Sequence, residues 1–404
     1  MIGQAEIAEI GARLARRAGP DPPAAWDLRI DGDDGADPAT LTHAKQQALM
    51  RAYQARYVLL PSAAPAGCFV ERLRRHYDPG EMARLETLRH ALEAELLEPR
   101  ADAARRDAAG RDWRDYAEAL IPELRGQGEN PFTAYLRTSP NAQAHYRNFL
   151  LQSSADLLAE ASASAMGVVG EFGAPQSALF RILIDEFGYG AHGQKHAVLY
   201  QATMRDFGLC ADYNAYWPLF DTQALDLHNA IHHLFQNPRN FFMQVGFLLF
   251  AETAYQRSTQ DHFRYLREVF PDVDARYFGE HAHIDLHHTR MVIDEVAGPL
   301  VETYGAAAGA EIVAGAELTR TVFDAAGAHM LAVAGVFDAA AAAGRATAAA
   351  ADLATLGRGL TPAAAGAPGP DAAAVQVGGI GLVDAASFAA FPAGAYGRLP
   401  RAAG

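Results

Sequence analysis

The sequence predicts an all-α protein. Apolar residues recur at helical spacing through most of the chain, and the period-2 alternation of a half-buried strand is nearly absent. Gly, Pro, Asn and Asp fall at intervals that cut the chain into helix-length pieces. In order, residues 1–18 read as a short amphipathic helix stopped by Gly19-Pro20, and residues 20–40, rich in Pro, Asp and Gly, as a loop. From Leu41 to about Arg125 helical signals dominate. There Asp78 is placed to cap a helix that has Pro79 at its first position and Met82, Leu85, Leu88, Leu92 and Leu96 along one stripe. No constellation of metal-binding or nucleophilic type occurs there. Residues 1–129 are therefore a helical extension that packs on, or dimerises with, the helical domain C-terminal to it.

Residues 130–340 read as one helical domain, with helices expected over 140–170, 175–188, 190–207, 220–235, 238–268, 276–304 and 308–338. Gly167, Gly170, Gly173-Ala174-Pro175, Asn237-Pro238 and Pro271-Asp272 are the breaks between them. Such a bundle builds its sites from inward-facing side chains. After Asp338 an Ala-rich stretch continues the helix, and residues 341–404 form an Ala/Pro/Gly-rich linker and tail apolar enough to dock on the body. The Gly-Gly-Ile-Gly of that tail precedes neither a helix nor a Lys, so it is read as surface chain and not as a phosphate loop.

Composition narrows the function. The 404 residues carry 34 Lys+Arg against 48 Asp+Glu, a net charge of −14, with no basic run. That excludes a nucleic-acid partner, which needs clustered cations. Cys68 and Cys210 are the only cysteines, too few for a disulfide framework or a thiolate zinc site. The N-terminus lacks a signal-peptide pattern. The most apolar run, Phe241 to Ala251, is about half the roughly 20 residues of a membrane span. The expectation is a cytoplasmic protein with no membrane partner. Of the 15 histidines, those at 192, 196, 228, 232, 233, 262, 281, 283, 287 and 288 crowd into about a quarter of the chain.

The sharpest local pattern is Glu280-His-Ala-His-Ile-Asp-Leu-His-His. On a helix Asp285 lies roughly 40° and His288 roughly −20° from His281, while His283 and His287 point the opposite way. The shared face is roughly 10 Å long, too long for one ion and suited to two about 4 Å apart. Imidazole with carboxylate suits iron or manganese. Other acids could close the site. Glu160 sits four residues after Asp156 on an apolar face. Glu186 precedes His196 by ten residues, and on an ideal helix the two would be roughly 15 Å apart. They can share a centre only if Gly188, Gly190 and Gly193 break the helix. Glu252 follows an apolar run, where a carboxylate needs a cation or a donor. His228, His232 and His233 read as a packed helix face. His192, four residues before His196, could orient a ligand from outside the centre.

Glu160, the tract Glu186-Phe-Gly-Tyr-Gly with His196, Glu252 after its apolar helix, and His281-x3-Asp285-x2-His288 together resemble the haem-oxygenase-like dimetal oxidases, often termed iron-containing redox enzymes. The resemblance covers about residues 130–340. It implies a haem-oxygenase-like seven-helix bundle, usually a homodimer, in which Glu160, Glu186, His196, Glu252, His281, Asp285 and His288 hold two Fe(II) ions, with no catalytic residue beyond these ligands. It also implies use of O2 and external electrons on a small amino-acid-like substrate in specialised metabolism, by N-oxygenation, desaturation or C–C cleavage. One departure is plain: several relatives carry a Glu three residues before the second-helix His, where this chain has Gly193, so Glu186 must bend in or the site has one carboxylate fewer. Arg181, Arg290 and Arg320 are candidate clamps for a substrate carboxylate, though surface positions are the commoner outcome. The alternatives are a fatty-acid desaturase or decarboxylase of the same family, which needs a long apolar tunnel, and a non-catalytic metal- or haem-binding helical protein.

Overall fold

The computed structural model describes residues 38–58, 70, 74, 77–213, 216, 220–342, 376–377 and 380–381. The expected helix over 1–18, most of the 20–40 loop and most of the C-terminal tail lie outside them. The described chain is helical: α1 (Pro38–Gln54), α2 (Pro79–Leu96), α3 (Glu98–Ala108), α4 (Trp113–Arg125), α5 (Pro131–Leu136), α6 (Ala142–Leu157), α7 (Glu160–Met166), α8 (Ala174–Glu186), α9 (His196–Asp206), α10 (Thr222–Gln236), α11 (Phe241–Val269), α12 (Arg276–Met291), α13 (Gly298–Tyr304) and α14 (Ala306–Ala342). The strands among the described residues are the two-residue pair Gln376–Val377 and Ile380–Gly381, antiparallel, at the Gly-Gly-Ile-Gly of the tail.

Local chemistry sets the helix starts. Asp78 accepts from the Gly80 N–H at 2.9 Å, the expected cap of α2. Asp112 accepts from the N–H groups of Arg114 and Asp115 at the start of α4, and Asp221 from that of Ala224 at the start of α10. The expected helix over 140–170 is two helices, α6 and α7, broken at Leu158-Ala159. The one over 190–207 begins only at His196, after two short 3-10 turns, Gly188–Gly190 and His192–Gln194. The one over 276–304 is α12 and α13 joined by a π-helical turn, Val292–Ala297.

The centre of the bundle is α11, with α14 on one side and α12 on another. Gly246 of α11 and Gly315 of α14 let the two backbones touch: a Cβ on either would lie 1.9 Å from a carbonyl oxygen of the other helix. Met243, Leu249, Ile312, Val313 and Ala316 fill that seam. By length and composition alone, α14 is the described helix apolar enough to cross a membrane. In this fold its inner face is committed to the seam. A second core of stacked aromatics, Tyr146 with Phe207 and Tyr265, sits under α6, α9 and α12. The N-terminal helices pack on the body: Leu49, Tyr53, Leu85, Leu88 and Leu92 bury against Ala230 of α10 and Val322 of α14. Asn229 reaches back to the Gln46 carbonyl at 2.8 Å, and Arg100 pairs with Asp226 at 2.7 Å.

Candidate metal centre

Helix α12 brings His281, Asp285 and His288 to its inner face, where all are buried, and leaves His283 and His287 exposed on the outer one. Helix α11 supplies Glu252. The break before α7 makes Glu160 that helix's first residue, turned toward α12, where the Tyr277 hydroxyl donates to its Oε2 at 3.1 Å. Glu186 ends α8. The chain then reverses through Gly188, Tyr189 and Gly190, all at positive φ (61°, 53° and 80°). A Cβ on Gly188 would stand 2.4 Å from the Gln194 carbonyl carbon, so only glycine lets the turn close on itself. His196 is thereby folded back until its Nδ1 lies 2.8 Å from Glu186 Oε2. The helix break on which that pairing depended is present.

The seven side chains form two adjoining groups. Glu160, Glu186, His196 and His281 can bring one donor atom each within 4.8 Å of one another, and Glu252, Asp285 and His288 do the same. Asp285 lies between them: its Oδ1 is 3.4 Å from His281 Nδ1 and 3.8 Å from His288 Nδ1. No Lys or Arg is paired with any of these acids in the described contacts. Glu160 Oε1, Glu186 Oε2, His196 Nδ1, His281 Nε2 and both Asp285 oxygens are buried without a hydrogen-bond partner, including atoms as close as Glu186 Oε2 and His196 Nδ1. Atoms that crowd together without donating to one another share an unfilled need for positive charge.

Protonation follows the same strain. Burial opposes charge throughout, yet nearby acids hold the His281 imidazole well above its ordinary pKa and push His288 up to about 10. Burial, with Glu252 and Glu186 close by, lifts Asp285 to about 7 against the pull of His281. Burial and Glu186 raise Glu160, while His196, His281 and His288 outweigh burial at Glu186 and lower it to about 2. Without a cation, imidazolium protons neutralise the acids.

Four further findings qualify the sequence reading. His192 is exposed on its 3-10 turn and does not join the centre. His228, His232 and His233 are buried in α10, with the rings of His228 and His232 stacked at 4.0 Å. Arg181 and Arg290 are surface residues paired with Glu295 and Glu118, whereas Arg320 borders a cavity but holds Glu123. Asp185, next to Glu186, also reaches the centre: its Oδ2 is 2.9 Å from His288 Nε2. Nothing in its spacing marked it, since on a wheel it stands about 100° from Glu186.

Residues 147–323 match the iron-containing redox enzyme family. The matched segment carries all seven residues in one place, and its all-α bundle is the haem-oxygenase-like fold. The chain is also 34% identical over 285 residues to a nitrosourea synthase of Streptomyces achromogenes subsp. streptozoticus. The match takes in 70% of this chain and spans 60% of that relative's length. Iron fits the centre on its own chemistry: orphaned carboxylate and imidazole atoms are the donors such an ion takes.

A cavity of about 770 Å³ adjoins the centre. Tyr277, which donates to Glu160, and Tyr255, whose ring lies 6.1 Å from that of His281, form part of its wall. Its lining mixes aromatic rings with acids, including Asp156, Asp221 and Asp324, and with Arg257 and Arg320. Burial, reinforced by Glu160, raises Asp156 to about 7.

Proposed function

We propose that the chain is an O2-dependent non-haem di-iron oxidase or oxygenase acting on a small amino-acid-like substrate. The observation that carries this is the pair of adjoining, buried donor groups sharing one helix, without an internal Lys or Arg to neutralise them. Glu160, Glu186, His196 and His281 would hold one ion, and Glu252, Asp285 and His288 the other. Bound ferrous iron supplies open coordination positions and electrons for O2 reduction.

The protein's own contribution is positional. α12 fixes three donors in one register, the Gly188–Gly190 turn sets His196 against Glu186, and Tyr277 holds Glu160 by a hydrogen bond. Tyr255 and Tyr277 wall the centre from the cavity, where a substrate would be held away from bulk water. The preference for an amino-acid-like molecule over a fatty acid rests on Arg257 and Arg320 in the otherwise mostly apolar wall, guanidiniums that could share a substrate carboxylate with their partners Asp261 and Glu123. In N-oxygenation, one oxygen atom of O2 would end on a substrate nitrogen and the other would leave as water, with two electrons and two protons supplied from outside. The reading extends to a cytoplasmic homodimer without nucleic-acid or membrane partners, a state that light scattering on the purified protein checks.

The test is anaerobic loading with Fe(II), then heavy-isotope O2 in the presence of amino acids and their N-substituted derivatives, with products read by mass spectrometry. Substrate-dependent O2 uptake and a labelled oxygen in the product are expected. A loaded protein that consumes no O2 with any of them, but consumes it when a long-chain fatty acid is supplied and converts that acid to a shortened or desaturated product, would move the assignment to the alternative substrate class.

A further inference from the structure

The two nitrogens of His288 have different neighbours. Nδ1 faces the donor group, 3.2 Å from Glu252 Oε2 and 3.8 Å from Asp285 Oδ1. Nε2 faces Asp185, whose Oδ2 is 2.9 Å away. A neutral imidazole offers one lone pair and one N–H. If Nδ1 is to be the donor to an ion shared with Glu252 and Asp285, the proton must sit on Nε2, and Asp185 is what receives it. Asp185 stands on the far side of the ring and is not one of the atoms that close on a common point with Glu252, Asp285 and His288.

We propose, on the di-metal reading above, that Asp185 is a positioning residue: it accepts the Nε2–H of His288, locks that ring with its Nδ1 lone pair toward the centre, and so sets the affinity of one ion and not the other. A carboxylate in this place does more than orient, because its charge raises the basicity of the opposite nitrogen. Asp185 itself has a neighbour outside the centre. The Tyr189 hydroxyl, on the turn that reverses the chain, is near enough for Asp185 to raise its pKa, and the Tyr189 backbone sits at φ 53°, a conformation a non-glycine residue adopts at a cost. The turn that brings His196 to Glu186 thus also places a hydroxyl near Asp185. The first group has no counterpart: the acids near His196 and His281 in the described contacts, Glu186, Glu160 and Asp285, are all donor candidates themselves. The arrangement is asymmetric by construction.

The test is a titration of the metal-free full-length protein with Co(II), by calorimetry and visible absorption, for wild type, Asp185→Ala, Asp185→Asn and Tyr189→Phe. His281→Ala and His288→Ala serve as references for which ion is lost. Asp185→Ala should weaken one of two ions by roughly 10–100-fold, the ion that His288→Ala abolishes, and leave the other within a factor of about two. Asp185→Asn, which keeps an acceptor oxygen, should lose less than Asp185→Ala, and Tyr189→Phe less again. Thermal unfolding of each metal-free variant monitors the fold, and Asp185→Asn carries the comparison if Asp185→Ala unfolds early. Two ions with wild-type affinities in Asp185→Ala would overturn the inference, as would equal losses in the Asn and Ala variants, which would make Asp185 a ligand. Fewer than two Co(II) in wild type would instead overturn the di-metal reading itself.

Discussion

The clusters of acid and imidazole around Glu93 and around His281 and His288, both among the described residues, differ in one respect. Glu93, in the N-terminal extension, is fully buried, but it accepts from Tyr53 Oη at 2.6 Å, Arg89 at 2.6 Å and Asn237 Nδ2 at 2.8 Å, with His233 Nδ1 3.5 Å away. Burial would raise its carboxyl, and these partners outweigh it, holding it at about 2. The cluster brings its own cation, Arg89, and the Asn237 side-chain oxygen in turn accepts from Arg89 at 2.8 Å. The acids around His281 and His288 have only one another and imidazoles that would have to be protonated. A buried acid with a guanidinium is a structural tie; a buried acid cluster without one is a place for a metal.

That contrast can be broken by exchanging the roles. Arg89→Met should cost about 3–5 kcal/mol, because it leaves Glu93 buried without its cation. Asp285→Asn in the metal-free protein should cost nothing measurable or add stability, since it removes one of several repelling carboxylates. Urea unfolding of both reads this directly, and a loss in Asp285→Asn as large as that in Arg89→Met would dissolve the distinction. With metal the order reverses. Saturating Fe(II) or Co(II) at about 100 times the Kd of each site should stabilise wild type by about 2.7 kcal/mol per ion, roughly 5 kcal/mol for two, and Tyr53→Phe equally, but Asp285→Asn far less. Binding at pH 7.5 should also release protons, because a His288 raised to about 10 is protonated there before the ion arrives. Calorimetry in buffers of different ionisation enthalpy measures that release, and none would contradict the crowding described here.

Gly188→Ala tests the turn. A left-handed non-glycine residue costs about 1–3 kcal/mol, and the Cβ contact at 2.4 Å adds to it. The same variant should weaken the ion held by Glu186 and His196 more than the one held by His288. The smallest effect concerns Asp338, a third acid that resembles Glu93. Burial would raise it, but hydrogen bonds from Ser139, Tyr135, Asn141 and His145 outweigh that and lower it to about 2. A depressed carboxyl stabilises above its unfolded pKa of about 3.9 and loses that contribution as pH falls through the folded value. Asp338→Asn should therefore be less stable than wild type by about 1 kcal/mol at pH 6, and the two curves should meet near pH 2. Curves that stay parallel down to pH 2 would remove Asp338 from the class of self-satisfied acids.

The sequence carried the centre where the information was periodic or local. His281, Asp285 and His288 share a face because 0, +4 and +7 do so on any helix, and His283 and His287 are exposed for the same reason. The Glu186–His196 pairing was legible only as a condition, a broken helix, and three glycines made the condition plausible. The break before Glu160 was not legible: Leu157-Leu158-Ala159 contains no Gly, Pro or Asn, and tertiary packing decides it. Asp185 was not legible either, because the end of a helix lets neighbouring side chains diverge from the wheel. Nothing in the sequence singled out Arg89 and Glu93, an i,i+4 pair buried by His233 and Asn237 at the end of α10, residues far away in the chain. Periodicity shows which side chains share a face, whereas only the fold shows what covers it.

The most direct test of the central claim is anomalous diffraction at the iron edge from crystals of the protein loaded with Fe(II) under anaerobic conditions. The account predicts two peaks, one bounded by Glu160, Glu186, His196 and His281 and the other by Glu252, Asp285 and His288, and none beside Glu93. A single peak, or iron bound anywhere but between α7, α8, α9, α11 and α12, would contradict it.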